Sequence, residues 1–311
     1  MHVPVRRRTL RLRRFLAGLL AAFLAAGIYG LVQAPASRTA PSKASAPAAS
    51  SKATPHAVAP AGASNGAAGS SNGAAAIQTA SPQKGGTPDA AIDGIINANS
   101  QYQVGVALLD LGTGVLHQYG VEAPFVAAST AKILTAAAFY HSVETGNASL
   151  DDPLGEFTAG YQLKEMVQDS DNDSWSLLME AVGTSSLVDY AASIGVSYDP
   201  DVNTLTTADM AHVLAQVYSG GLLNPDDTTQ LLSYMQDTNY EYLIPAAVPD
   251  GVTVFHKYGL LEDELHDAAI LSSSAGSYAL VIYTKGAGLD DVPERTAVIH
   301  DITAAVTAAL F

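Results

Sequence analysis

The sequence predicts an α+β fold in three α/β/α layers: one antiparallel sheet flanked by terminal helices, with an all-helical lobe beside it. Three observations predict it. Stretches rich in β-formers, joined by short turns, lie near both ends of residues 88–311, at 102–119 and 252–284. A long run of helical pattern separates them. Further helical segments open and close the region. If the end strands pair in one sheet, the intervening helices form their own lobe, and the cleft between the two is a usual place for a ligand.

The chain opens with a basic segment, 1–14, carrying Arg6, Arg7, Arg8, Arg11, Arg13 and Arg14. Phe15 to Val32 is then uncharged and apolar for 18 residues, at the short end of what crosses a bilayer. Segment 15–33 therefore reads as a single-pass anchor that leaves the arginines inside and everything after it outside the membrane. The alternative is a signal peptide cut near Ala34-Pro35-Ala36, giving a secreted protein. The anchor is preferred because the apolar run exceeds the roughly 7–15 residues of a signal core. Residues 34–87 are Ala, Ser, Pro and Gly with few bulky apolar side chains, and Ser64-Asn65-Gly66-Ala67-Ala68 recurs at Ser71-Asn72-Gly73-Ala74-Ala75. Such a segment cannot bury enough surface to fold and reads as a disordered linker.

Residues 88–311 form the expected folded domain. Pro88 to Ala98 reads as a helix. Tyr102 to Leu111 and Val115 to Tyr119 read as a hairpin turned at Gly112-Thr113-Gly114. Ser129 to Thr145 has no Pro or Gly and stops at Gly146, as a helix would. Helical segments follow at Tyr161–Val167, Ser174–Val182, Ser185–Ile194, Thr207–Ser219 and Asp226–Gln236, the fourth started by Thr206 or Thr207. Strands return at Val252–Tyr258, Ala268–Ser273 and Tyr278–Thr284, and a last helix covers Asp291 to Leu310.

Charge is divided sharply along the chain. All 30 acidic residues follow Pro88, against only Lys132, Lys164, Lys257, Lys285 and Arg295, a formal charge of −25 for the domain. A nucleic-acid surface is excluded as a first reading. With no cysteine and no H-E-x-x-H pattern among the eight histidines, neither thiol chemistry nor a metal site is indicated, and no cofactor is expected. The chain is expected to be a monomer.

Scarce cations make their positions informative. Ser129-Thr130-Ala131-Lys132 puts a serine and a lysine one helical turn apart, at a helix start where backbone N–H groups are unpaired. A lysine shielded from water can lose its proton and activate a serine. The spacing alone is weak, since Ser81-Pro82-Gln83-Lys84 repeats it inside the linker. Two further stretches add to it. Ser170-Asp171-Asn172 begins 41 residues after Ser129, and Lys257-Tyr258-Gly259 lies on a predicted strand, its lysine 87 residues after Ser170.

In this order the three stretches resemble the marks of the penicillin-recognising serine hydrolases, the class A-type β-lactamases and penicillin-binding proteins: S-x-x-K at a helix start, S-D-N on a loop of the helical lobe, and K-T-G on an edge strand. The resemblance covers 88–311 and implies roles. Ser129 would be acylated, with Lys132 taking part in its activation. Ser170 and Lys257 would relay a proton and hold the site positive. Asn172 would bind the substrate's amide, and Gly259 would let substrate lie on the strand. The N–H groups of Ser129 and Leu260 would form an oxyanion hole, each donor contributing about 3 kcal/mol in the transition state.

The match departs in two places. Where class A enzymes carry a Glu-Pro-Glu-Leu-Asn stretch whose first glutamate directs water onto the acyl-enzyme, this chain has Asp199-Pro200-Asp201-Val202-Asn203. Asp199 would be the base, one methylene shorter than the glutamate. Tyr258 replaces the small hydroxyl residue that helps bind a substrate carboxylate, and Leu261-Glu262-Asp263-Glu264 follows with acids where a cation would be useful. His256 and His266 are the candidates to supply that charge. The expected function is a membrane-tethered, exported serine hydrolase, acylated by β-lactams or related amides and deacylated by water. The alternatives are a DD-peptidase acting on peptidoglycan stem peptides and an inactive wall-binding domain.

Overall fold

Alternation of two along β1 (Gln103–Asp110) turns Val104, Val106 and Leu108 to one face of a sheet and Ala107 and Leu109 to the other, and all five are buried. A strand buried on both faces needs cover on both, and this one has it. The computed structural model describes residues 88–311. The basic segment, the anchor or signal reading and the linker lie outside the described residues. Among the described residues no helix is long and apolar enough to cross a membrane.

The sheet has five strands in the order β2-β1-β9-β8-β7, every neighbouring pair antiparallel. β2 is Leu116–Gly120, β7 Thr253–Leu261, β8 Glu264–Ser273 and β9 Gly276–Lys285. Strands from both ends of the domain thus meet at the β1–β9 pair, as the sequence predicts. α1 (Asp89–Ala98), a 3₁₀ turn at Ile244–Ala247 and the terminal helix cover one face, around Ile92, Ile244, Val298, Ile302 and Val306. The other face packs on the helix Thr207–Tyr218, and α2 (Lys132–Glu144), whose first nine residues, Lys132 to Tyr140, are all buried, belongs to the same core. A helix without a polar face belongs at the centre of a structure, and α2 is enclosed by the helices of the lobe. The fold is the three-layer α+β arrangement expected, with the helical lobe beside it.

The lobe comprises α3 (Ala159–Gln168), α4 (Asn172–Val182), α5 (Thr184–Ser193), α6 (Thr207–Tyr218) and α7 (Pro225–Tyr234). Four of these five helices start on side-chain caps. Thr158 accepts from Tyr161 N, Asp171 from Ser174 N, and Thr206 and Asp209 form a capping box. Short strands β3 (Phe125–Val126) and β6 (Thr204–Leu205) pair antiparallel, and β4 (Pro153–Leu154) and β5 (Phe157–Thr158) form a small hairpin. One boundary differs from expectation. Ala128–Ala131 is a 3₁₀ turn, and the α-helix begins only at Lys132.

The acidic run after β7 is also accounted for. Glu262, in the left-handed region at φ 52°, and Asp263 form the β7–β8 hairpin turn. Lys285 pairs with Asp263 at 3.0 Å and with Glu264 at 2.7 Å. Arg295, on α8 (Val292–Leu310) and fully buried, ties that turn to the helix. It donates at 2.7 Å to each of Asp291 Oδ1, the Asp263 carbonyl and the Gly288 carbonyl. Replacing Arg295 with alanine strands these acceptors, and breaking a buried pair from one side costs about 3–5 kcal/mol. Urea unfolding of Arg295→Ala should show a midpoint lowered to match, whereas a shift within about 0.5 kcal/mol would show that the tie is not stabilising.

Candidate active site

Ser129 sits on the 3₁₀ turn, and that turn is held on several sides. Ala128 takes φ 49°, a left-handed conformation that alanine adopts only when its surroundings impose it. Asn203 supplies part of the constraint. Its backbone carbonyl accepts from Ala127 N at 2.7 Å, and its side-chain amide donates to the Ala128 carbonyl at 3.0 Å. Tyr198 OH in turn donates to Asn203 Oδ1 at 3.0 Å. From below, Thr130 Oγ1 donates to the Ala127 carbonyl and shares a 2.6 Å hydrogen bond with Tyr283 OH. His266 stacks on Tyr283 at 4.2 Å and lies 2.9 Å from the Val126 carbonyl.

β7 is the edge strand against which this turn packs. A Cβ on Gly259 would stand 3.0 Å from Ala128 Cβ, 3.1 Å from the Ala127 carbonyl oxygen and 3.2 Å from Ser129 N. A side chain at 259 would therefore press on the turn and make it give by a few tenths of an ångström, a reason for glycine additional to the close approach of substrate expected from sequence. His256 N–H points off the sheet edge, donating to the Met235 carbonyl at 2.7 Å. N–H direction alternates along a strand, so Leu260, four residues on, turns its N–H to the same edge. That is the side an oxyanion-hole donor must occupy.

Lys132 has no exposed surface. Its amine donates to the Ser170 carbonyl at 2.6 Å, Asn172 Oδ1 at 2.7 Å and Ser170 Oγ at 3.2 Å. Ser170 reaches it by adopting φ 57°, just before Asp171 caps α4. Lys132 also lies 5.1 Å from the Trp175 ring centre, and Trp175 Nε1 donates to Thr135. Burial drives the Lys132 pKa well below the ordinary lysine value, the Lys257 charge adds to the effect, and Asp171 opposes it. Burial likewise lowers Lys257 to about 7, against the pull of Asp267 and Asp169. Two poorly solvated amines close enough to repel each other can share one proton more easily than hold two.

The structure therefore brings together Lys132, Ser170 and Asn172 by direct bonds, and sets Ser129 against Gly259 on β7, the strand that also carries Lys257, Tyr258 and Leu260. Among the described residues none of the Lys132 hydrogen bonds goes to the Ser129 hydroxyl. The amine expected to meet that hydroxyl is bonded to Ser170 and Asn172 instead. Asp199 stands apart. It is exposed, its Oδ1 accepts from Asp201 N at 2.9 Å, and its backbone bridges to Thr204 across the loop. Asn203, which ends the same stretch, spends its amide on the Ala128 carbonyl. Sequence reasoning missed Trp175, although its signal was there: the chain's single tryptophan, one helical turn after Asn172.

Neither histidine faces the cleft as a spare cation. His266 accepts from Thr284 N and is buried, which brings it down to about 4 and leaves it neutral, although its bond to the Val126 carbonyl works the other way. A cavity of about 770 Å³ lies on the lobe, lined by His141, Asp152, Asp189 and Tyr190 and not by Ser129. Among the described residues no group of three or more His, Asp or Glu side chains could hold a metal ion.

The sequence model of a family described as the beta-lactamase enzyme family matches residues 87–310. No curated protein sequence matches the chain. Among solved structures, a variant of the class A beta-lactamase of the last common ancestor of Gram-negative bacteria is 26% identical, with a TM-score of 0.65 over 71% of this chain and 98% of its own. A beta-lactamase from Xanthomonas campestris pv. campestris is 23% identical, with a TM-score of 0.67 over 72% of this chain and 97% of its own. An acyl-enzyme complex of a PBP-A mutant with penicillin G is 22% identical, with a TM-score of 0.66 over 71% and 95%. The last two likenesses are of fold.

Behind Lys257, His256 is clamped between Asp267 at 3.0 Å and Glu241 at 3.1 Å. Burial opposes its charge, but the two carboxylates outweigh burial and raise it to about 9. A raised histidine contributes stability that is complete below the free value of 6.5 and lost as pH climbs through about 9. Lys257 has the opposite sign, since its lowered pKa makes stability rise from about pH 7 towards 10.5. In wild type the two slopes offset each other. Thermal unfolding of His256→Gln across pH 6.5–9 should therefore show stability rising more steeply with pH than in wild type. Parallel pH profiles would mean that His256 is not charged in the fold.

Proposed function

The chain belongs to the beta-lactamase enzyme family, and from that premise we propose that this serine hydrolase works by acylation of Ser129, with β-lactams or related amides and esters as acyl donors. The observation that carries the reading is the buried Lys132 amine, bonded to Ser170 and Asn172 in the cleft that Ser129 borders. With that amine neutral, two N–H bonds still satisfy the Ser170 carbonyl and Asn172, and its lone pair is left to take a hydroxyl proton. Ser129 Oγ then attacks the carbonyl carbon as its proton moves to Lys132. The oxyanion gathers at the N–H groups of Ser129 and Leu260. As the C–N or C–O bond breaks, Ser170 passes its proton to the leaving atom and takes one from the Lys132 ammonium beside its hydroxyl, with protonated Lys257 keeping the site positive.

Water must then cleave the acyl-enzyme. The Asp199 carboxylate is engaged in its own turn, which supports slow release, because a base displaced by even an ångström loses orders of magnitude in rate. Asp199 is accordingly retained only as a weak water activator. This observation favours a second reading, a penicillin-binding-type peptidase on cell-wall peptides, in which a β-lactam adduct persists. The same inference extends to location. The arginine-rich start, the apolar 15–33 and the linker 34–87 support a domain tethered outside the cell membrane.

Full-length protein and Ser129→Ala are to be incubated separately with a chromogenic β-lactam and with an activated aryl ester, with intact mass followed over time. An adduct on wild type alone, decaying more slowly than it forms, is the expected result. No adduct from either reagent would remove the acylation reading. The second-order acylation constant should also fall as pH rises through about 7, where Lys257 loses its charge. Lys257→Arg, which cannot lose its charge, should abolish that falling limb. An unchanged limb would assign it to another group.

A further inference from the structure

Tyr258 occupies the strand position from which a small hydroxyl side chain would help hold a substrate carboxylate. Its ring lies 4.1 Å from the Lys257 amine and stacks on Tyr240 at 4.7 Å. Its phenol is turned toward the side chains of Ser170 and Asn239, and Asn239 is itself fixed, its backbone N–H donating to the Gln168 carbonyl. The space beside Lys257 and Ser170 is thus filled by an aromatic ring anchored at both ends.

The cations that could attract a carboxylate there are committed elsewhere. Lys257 is fully buried and packed on the Tyr258 ring. Lys132 gives its hydrogen bonds to Ser170 and Asn172. His256 is held by Asp267 and Glu241, and His266 by the Val126 carbonyl and Thr284 N. Lys285 and Arg295 serve the β7–β8 turn and the start of α8. Asp169, exposed at this rim, already acts on both Lys257 and Tyr258. A carboxylate entering here would have to displace the ring and would then meet an acid.

We propose that Tyr258 sets the specificity of the site for acyl donors that are uncharged on the leaving-group side, esters and blocked amides rather than carboxylates. The proposal rests on the acylation of Ser129 put forward above. An ester or amide oxygen can share hydrogen bonds with the Tyr258 phenol and Asn239 without the cost of desolvating an anion beside Asp169. Substitution by a small hydroxyl residue opens the space and exposes the Lys257 amine to it.

Benzylpenicillin and its methyl ester differ only in this charge. Their second-order acylation constants on the full-length protein can be compared by intact mass, for wild type, Tyr258→Thr and Tyr258→Phe. In wild type the ester should react about tenfold faster than the acid or better. Tyr258→Phe keeps the ring and should keep the preference, while Tyr258→Thr should bring the ratio to about one or below. A wild-type preference for the acid overturns the proposal, as does a Tyr258→Thr variant that melts like wild type and keeps the ester preference. If the threonine variant fails to fold, the wild-type ratio and the phenylalanine variant decide. Absence of a Ser129 adduct with both compounds and with the aryl ester would instead remove the underlying acylation reading.

Discussion

Two lysine amines without exposed surface, the Lys257 charge adding to burial in holding Lys132 low, are the constraint on which the rest of the cleft depends. Burying one unpaired ammonium is expensive, and burying two side by side is worse. The structure accommodates them by letting at least one be neutral and by surrounding the pair with acceptors: the Ser170 carbonyl, Asn172 Oδ1, the Tyr258 carbonyl and the Trp175 and Tyr258 rings. The left-handed turn at Ser170 follows from this need, because it directs both the carbonyl and the hydroxyl of one residue at Lys132. So does the start of α4, where Asp171 is used as a cap while Asn172 faces the amine. What makes the arrangement costly to fold is also what leaves a lysine able to accept a proton.

A second constraint fixes the serine relative to that pair. β7 and the 3₁₀ turn pack closely at Gly259, where a side chain would crowd the turn, and Ala128 is held in a conformation it would not choose. Asn203 bonds to the turn from the 199–204 loop, and Thr130, Tyr283 and His266 support it from the sheet. The loop expected from sequence to supply a deacylation base braces the turn that carries Ser129. Bracing and water activation compete for the same short loop, and in this chain the hydrogen bonds go to bracing.

Much of this was legible in the sequence. Each helix and strand with a clear period appears within a few residues of its expected place, because period, caps and turn residues are local signals. The three motif stretches were legible for the same reason, as spacings along the chain. What escaped was set by distant contacts. Alanine carries no mark of a left-handed residue, so nothing near Ala128 announced that the helix would open as a 3₁₀ turn. The Asn203 amide could bind water or a carbonyl, and only the approach of the Ala128 carbonyl decides between them. The acids at 262–264 resembled a repulsive patch until Lys285 and Arg295, more than 20 residues away, were found against them. Tyr258 was visible as a departure, but its reach to Ser170 and Asn239 was not.

The charge imbalance of the domain then takes on a specific meaning. Of its five lysines and arginines, two are buried in the cleft, two tie the β7–β8 turn and the start of α8, and Lys164 stands exposed on α3. Among the described residues around Ser170, no lysine or arginine remains at the rim to draw in an anion by long-range attraction, and Asp169 presents the opposite sign. Recognition at this mouth must therefore work at short range, through the shape of the Tyr258–Tyr240 stack and the hydrogen bonds of Asn172, Ser170 and Asn239. A site with no field to steer an anion gains little from binding one. The acidity of the domain and the tyrosine in its third motif thus have the same consequence for what can enter.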